Sequence, residues 1–435
     1  MGYPFALPRT LEGFTAEFMT TLLRHQGWIE DHNAVVGMTE SGVGMTAGYF
    51  SALKKVTCEY RHSTSAPSRF VIKTWPALEI MPRDSIAQYF RKDIGAYSAF
   101  TPDEFFPRPR VLLAAGDERE NCWALIMEDA EVYATHRTHE TQLSLDETYA
   151  LIPGLVEQAV RWEGCDRGPN AARLDALGVH AWSSPENLGI YRALLPQGAP
   201  FLDRMLSTPS WISPTWPDLL GPGFCAEFTR RYDAWFAAVH PDCGATCTLS
   251  HGDLRGDNLF TAPPGARCPR GWVVIDFQLM FRGPVPSDLA FLLNSGTVAP
   301  DVYAGPALRP LLRTFYEAFM ARTRRYPDYS YAQFEREYVV MSTVEFVYFV
   351  GMGAALWKAG ALRNELAARV ELGTGGATES SLSAEERRQR MWWRKTHANL
   401  RDTFSEFDVR ERLQALPPDT PVPVFDTLPD HLTGA

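Results

Sequence analysis

The chain has 435 residues, 45% hydrophobic and 22% charged. That supplies a large apolar core and excludes a disordered, collagenous or coiled-coil protein. A net charge of −10 argues against a surface built to hold nucleic acid, and seven cysteines at scattered spacing read as reduced thiols rather than a disulfide framework.

Residues 1–14 lack a basic patch followed by an apolar run, so no signal peptide is expected. Ala6 stands where a myristoylation signal wants Ser or Thr. Residues 33–60 read as strand, glycine-rich turn and strand, with Gly42 and Gly44 in the turn. A third strand covers 69–74 and ends at Lys73-Thr74. Residues 83–100 carry Ile86, Phe90, Ile94, Tyr97 and Phe100 at helical spacing. Two more strands, 111–115 and 122–127, flank a polar turn.

After Glu128 the pattern turns helical. Ser144 and Glu147 form a capping box ahead of a periodic stretch that reaches Trp162, with Pro153 expected to kink or restart it. Further helices are predicted over 224–239, 311–325, 331–357 and from Ser383 onward through Trp392 and Trp393. Residues 339–357 are the one membrane-like stretch, but Ser342, Thr343 and Glu345 interrupt it, so it reads as a buried helix and not a span. Expected, then, are one lobe over 1–127 and a helical lobe over 128–435. The class is α+β, with a small antiparallel sheet carrying one helix before the larger helical part. A cytoplasmic location follows from the missing leader and span.

The densest chemistry lies in His251-Gly-Asp253-Leu-Arg-Gly-Asp-Asn258, followed by Ile275-Asp276-Phe-Gln278. A hairpin turned at Pro263-Pro264-Gly265 would bring Asn258 and Asp276 face to face, 18 positions apart. An Asn carbonyl and an Asp carboxylate are hard oxygen ligands that suit Mg²⁺ with bound phosphates. Asp253, five positions before Asn258, can approach the same point as a base. Phosphoryl transfer needs such a set plus a cation on the phosphates. Lys73 is the candidate cation, and Asp93, 20 positions on, can pair with it. Glycines such as Gly42 and Gly44 let backbone N–H groups approach phosphate.

With these motifs the sequence resembles the aminoglycoside phosphotransferase and choline kinase superfamily, in its ecdysteroid-kinase-like (CHK kinase-like) branch. The carrying residues are Phe70-Val-Ile-Lys73, Phe90-Arg-Lys-Asp93-Ile-Gly-Ala-Tyr97, Leu125-Ile-Met-Glu-Asp-Ala130, His251-Gly-Asp253 through Asn258, Ile275-Asp276-Phe-Gln278 and Asp288-Leu-Ala290. The resemblance covers roughly residues 33–293. It implies a protein-kinase-like two-lobed fold, with ATP and Mg²⁺ as cofactors. Asp253 would be the catalytic base, Asn258 and Asp276 the metal ligands, and Lys73 the phosphate-binding cation. Met127, Glu128 and Ala130 would form the hinge that recognises adenine. His251 and Asp288 would brace the catalytic loop. The family usually carries Glu at Asp93, and the shorter side chain calls for a closer helix or a bridging water.

The activity implied is transfer of the γ-phosphate of ATP to a hydroxyl of a small molecule, with no nucleic-acid or membrane partner. A protein kinase is disfavoured, because only 12 positions separate Asp276 from Asp288 and Gly252 stands where regulated protein kinases carry Arg. The alternative is a pseudokinase or nucleotide-binding module without turnover. The tryptophan-rich helical segments favour an apolar or ring-bearing alcohol over a polycationic acceptor, with an aromatic cage for quaternary ammonium as a further option.

Overall fold

The computed structural model describes residues 5–41, 51–75, 83–101, 103–117, 122–184, 187, 224–263, 268, 270–303, 305–358 and 379–417. Gly42, Gly44, Trp211, Trp216 and the side chains of Trp392 and Trp393 lie outside the described residues. The chain forms two compact units. One comprises Met1–His136 and Phe260–Leu279; the other comprises Arg137–Leu259 and Met280–Ala435. The first unit thus runs past residue 127 and takes back a later hairpin. That hairpin, Leu259–Thr261 with Trp272–Val274, extends the short strand Thr135–His136 into a three-stranded ribbon. Phe260, Cys268 and Val273 of the ribbon bury themselves with Ala130, and Val274 N–H donates to Pro107 O at 2.8 Å.

The first unit is built on five antiparallel strands, β1 (Val35–Ser41), β2 (Ala52–Tyr60), β3 (Arg69–Thr74), β4 (Val111–Asp117) and β5 (Cys122–Glu128), in the order β1-β2-β3-β5-β4. The sheet carries two helices, α1 (Ala16–His25) and α2 (Arg83–Ala99), one more than the sequence reading anticipates. A signal for α1 exists: Thr15 caps it by accepting from Phe18 N–H, and Met19, Leu22 and Leu23 fall on one stripe. Strand alternation sorts the faces of the sheet. On β3, Phe70 and Ile72 point into a core shared with Phe14, Met19, Leu22 and Leu23, while Lys73 points to the other face, toward α2.

The second unit is mainly helical. It comprises α3 (Leu145–Arg161), α4 (Gly168–Ala176), α5 (Phe224–Arg230), α6 (Tyr232–Ala237), α7 (Ser287–Asn294), α8 (Leu308–Met320), α9 (Tyr331–Lys358), α10 (Ala384–Glu406) and α11 (Val409–Gln414). The capping box is present: Glu147 N–H donates to Ser144 Oγ and Ser144 N–H donates to Glu147 Oε2. Of the kink or restart expected at Pro153, the restart does not occur: α3 continues through it as one element. Leu151, Ile152, Leu155 and Val156 are buried on either side of Pro153, and packing of that face outweighs one lost N–H. Residues 224–239 form two helices rather than one. α9 packs on α7 and buries Val339, Val340, Met341, Val344, Phe346 and Val347. Among the described residues no helix is long and apolar enough to cross a membrane. Trp162, Trp182 and Trp235 are buried, Trp235 with its indole N–H donating to Thr343 Oγ1 at 2.8 Å. Cys247 is packed inside, whereas Cys243 is exposed.

Candidate active site

The first unit places three ionisable side chains together. Lys73 Nζ lies 2.6 Å from Asp93 Oδ2 and 2.7 Å from Asp276 Oδ1. Alternation turns Lys73 off the Phe70–Ile72 face, and α2 presents Asp93 beside the buried stripe Phe90, Ile94 and Tyr97. The contact is direct, so the shorter Asp needs no bridging water. Asp93 also holds the segment that carries Asp276, since its Oδ1 accepts from Phe277 N–H at 2.9 Å. Phe277 is wedged against Tyr97 and Phe105, at ring distances of 5.2 and 4.9 Å.

Burial alone would lower the proton affinity of Lys73, but the Asp276 and Asp93 carboxylates outweigh it and hold the ammonium well above its ordinary range. Burial pushes Asp93 the other way, upward, with Lys73 opposing. The two tendencies conflict. The direct contacts at 2.6 and 2.7 Å favour the ionised triad, because the ammonium touches both carboxylates and attracts each in its charged form. Asp276 itself sits at φ 69°, in the left-handed region. For a non-glycine residue that backbone costs about 1–2 kcal/mol. The Asp276 Oδ2 atom accepts no hydrogen bond among the described residues, which leaves it open to a cation.

The hinge residues Met127 and Glu128 end β5, and Ala130 opens a short 3₁₀ turn, Ala130–Val132. Asp129 between them receives Arg69 at 2.6 Å and caps the turn by accepting from Glu131 N–H. Lys55 meets Glu131 at 2.7 Å. Arg69, Lys55 and Asp129 thus tie the end of β5 to β2 and β3, a brace that no local motif announces.

The second unit builds the loop from His251 to Asn258. The Asp288 carboxylate, on the first turn of α7, accepts the backbone N–H groups of His251 at 2.9 Å and Gly252 at 3.2 Å. Gly252 has φ 80°, which explains why no side chain stands before Asp253. Asp253 N–H donates to His251 Nδ1 at 3.3 Å. Asn258 folds back, its amide nitrogen donating to Asp253 O at 2.9 Å and to Asp253 Oδ2 at 3.0 Å. The amide therefore points its NH₂ at Asp253, and Asn258 Oδ1 accepts no hydrogen bond among the described residues. An open carbonyl oxygen is what a hard cation would need. Gly256 donates to Thr297 Oγ1 at 2.8 Å, and a Cβ there would meet Thr297 at 2.2 Å, so the loop can pack this tightly only with glycine. Among the described residues no group of three or more His, Cys, Asp or Glu could hold a metal ion. The donor set expected here, one Asn, one Asp and phosphate oxygens, is of a different kind.

Burial pushes Asp288 up to about 7, against the pull of the His251 and Gly252 N–H donors. A raised native proton affinity adds stability that is fully present below the ordinary value of 3.8 and is lost as pH rises through about 7. Asp288→Asn should remove that component. The wild-type Tm should therefore fall relative to the variant's as pH is raised from about 4 to about 8. Parallel Tm-against-pH curves for the two proteins would show that Asp288 does not titrate in this range.

A family model, ecdysteroid kinase-like, matches residues 223–327. The matched range contains His251 to Asn258, Asp276 and Asp288. No curated protein matches the chain. Among solved structures, the chain is similar to a point variant of aminoglycoside 2'-phosphotransferase-IIIa in its GDP complex, with 16% identity, a TM-score of 0.48, and coverage of 84% of this chain and 100% of that one. It is also similar to an ethanolamine kinase of Plasmodium vivax, with 12% identity, a TM-score of 0.45 and coverage of 83% and 86%. A choline/ethanolamine kinase family protein of Mesorhizobium loti gives 12% identity, a TM-score of 0.41 and coverage of 83% and 93%. The ecdysteroid kinase-like segment and the α+β architecture with its antiparallel N-terminal sheet are those the sequence motifs lead one to expect.

Proposed function

We propose that this chain is an ATP- and Mg²⁺-dependent phosphotransferase that moves the γ-phosphate of ATP to a hydroxyl of a small molecule. The observation that supports it most is the Lys73 ammonium held between Asp93 and Asp276, with Asp276 in a strained left-handed backbone. A buried lysine with two carboxylates is costly to keep for stability alone. It serves well as a fixed cation for phosphate oxygens.

In this reading Asn258 Oδ1 and Asp276 Oδ2 are the metal ligands. Bound Mg²⁺ would neutralise phosphate charge and align the β- and γ-phosphates. Lys73 contacts phosphate and Asp93 keeps it in place. Gly42 and Gly44 are assigned to the phosphates from the sequence alone, and the backbone of Met127, Glu128 and Ala130 would receive the adenine. Asp253 takes the proton of the acceptor hydroxyl as its oxygen bonds to the γ-phosphorus and the bond to ADP breaks. His251 and Asp288 hold Asp253 in register. We assign the reaction to the cytoplasm, where ATP and reduced thiols coexist. A pseudokinase or nucleotide-binding module is the alternative, and the direct Lys73–Asp93 pair counts against it.

ATP consumption against a set of hydroxylated metabolites, with mass detection of a phosphorylated product, tests the activity. Asp276→Ala tests the metal role. It should weaken nucleotide binding roughly 10–100-fold with Mg²⁺ present and much less with EDTA. Equal losses in both conditions would point to a folding defect and remove Asp276 from the metal site.

A further inference from the structure

Glu345 sits in the middle of α9, among the buried residues Val344, Phe346 and Val347. It is 3% exposed, and its Oε2 is buried with no hydrogen-bond partner. The same helix shows what a structural buried glutamate looks like. Glu337, eight positions earlier and close to the same stripe, accepts from Thr246 N–H at 3.0 Å, Thr246 Oγ1 at 2.7 Å, Tyr329 Oη at 2.5 Å and Gln333 Nε2 at 3.1 Å. One carboxyl is fully satisfied and the other is not. A buried polar atom without a partner lowers stability, and an apolar side chain of the same size would serve the fold better.

The surroundings of Glu345 say where its missing partner belongs. Burial pushes its carboxyl well above the usual range. Asp253 adds to this, Arg255 opposes it, and Asp257 adds again. These are residues of the 253–257 loop, so the unpartnered carboxyl lies within electrostatic reach of the proposed base. Arg255 Nε is 3.2 Å from Asp253 Oδ1 and 4.0 Å from Asp257 Oδ2. A phosphate is a poor occupant beside three carboxyl groups. A group that donates a hydrogen bond is a good one.

We propose that Glu345 is an acceptor-binding residue, its carboxyl receiving an O–H or N–H⁺ donor of the small molecule beside the 253–257 loop. The identity of that ligand as the phosphate acceptor rests on the phosphotransferase reading above. The two donor sources differ in what they ask of the carboxyl. A hydroxyl can be met by a neutral side chain that both donates and accepts, whereas an ammonium requires the carboxylate.

Two variants and three measurements test this. Glu345→Met removes the polar group at similar volume, and Glu345→Gln keeps a neutral donor and acceptor. The probe is a fixed set of sugars, polyols, ring alcohols and amino alcohols, read by ATP consumption with each member. Glu345→Met should raise Tm by about 2 °C, as expected when a group is retained for function at the expense of stability. For any member the wild type phosphorylates, Met should lower kcat/KM roughly 10–100-fold through the acceptor KM, with the KM for ATP within about twofold. Gln close to wild type identifies a hydroxyl partner; Gln as impaired as Met identifies an ammonium. The proposal is overturned if Met lowers Tm, which would reveal a structural partner, or leaves acceptor kinetics unchanged. If the wild type consumes ATP with no member of the set, the phosphotransferase reading is what has failed. The Tm result then decides by itself whether Glu345 faces a ligand, a rise supporting the proposal and a fall overturning it.

Discussion

Asp253→Asn should lower turnover by about 10²–10⁴-fold while leaving Mg·ATP affinity near that of the wild type. The proposed base acts on the acceptor hydroxyl and not on the nucleotide, so the loss belongs in kcat. The substitution is close to isosteric. Asn can still accept from the Asn258 amide, which donates to both Asp253 O and Oδ2, so the loop should keep its shape. What Asn cannot do is take up a proton at neutral pH. Single-turnover assays with calorimetric nucleotide binding in parallel separate the two effects. A variant with near-wild-type kcat would mean that Asp253 is not the base. A variant that loses nucleotide affinity in proportion to turnover would mean that its role is to shape the site.

Lys73→Met should cost both stability and function. Removing one member of a buried ionic group typically costs about 3–5 kcal/mol, because the remaining charge is left uncompensated. Here two carboxylates remain. The Asp93 side chain is 2% exposed and Asp276 23%, so the penalty falls mainly on Asp93. Tm should drop on the order of 5–10 °C. The raised proton affinity of Lys73 makes this pair's contribution fully present below the ordinary lysine value of 10.5, so the drop should be constant from about pH 6 to about pH 9. Adding Asp93→Asn to Lys73→Met should restore about half of the stability. Asn is neutral yet still accepts from Phe277 N–H through its side-chain oxygen. Nucleotide affinity should not return, because the cation is still missing. If the double variant is less stable than Lys73→Met alone, Asp93 matters chiefly through the Phe277 contact and not through charge.

Much of the nucleotide side of the site is legible from local patterns. Lys73 ends a strand whose alternation is readable, and Phe90, Ile94 and Tyr97 mark the buried stripe that Asp93 neighbours. Both readings depend only on period, which residues a few positions apart encode. The loop from His251 to Asn258 is likewise readable as a polar segment between apolar ones. Helix α1 carries a Thr15 cap and a Met19, Leu22, Leu23 stripe, and is readable once the short period is counted. Pro153 shows the opposite case, where a local rule yields to packing along the rest of α3.

What the sequence by itself determined is the chemistry available: one lysine at a strand end, an acidic residue on the next helix, and a loop with Asp253 and Asn258 between apolar segments. Only the tertiary structure decided how the charges are shared. Lys73 meets Asp276 across 203 positions, and Asp288 holds the loop backbone across 36 and 37. It also decided that Glu337 and Glu345, two glutamates on one helix, differ in kind. Both are buried on α9 and carry the same side chain. Whether a buried carboxyl is a brace or an open binding group depends on which donors the fold brings to it. For Glu337 these are Thr246 and Tyr329, supplied by other segments of the chain, together with Gln333 one helical turn away. For Glu345 the charges brought near are Asp253, Arg255 and Asp257, and its Oε2 has no hydrogen-bond partner among the described residues. Desolvation and hydrogen bonding act through space at a few ångströms, and residues far apart in sequence set them.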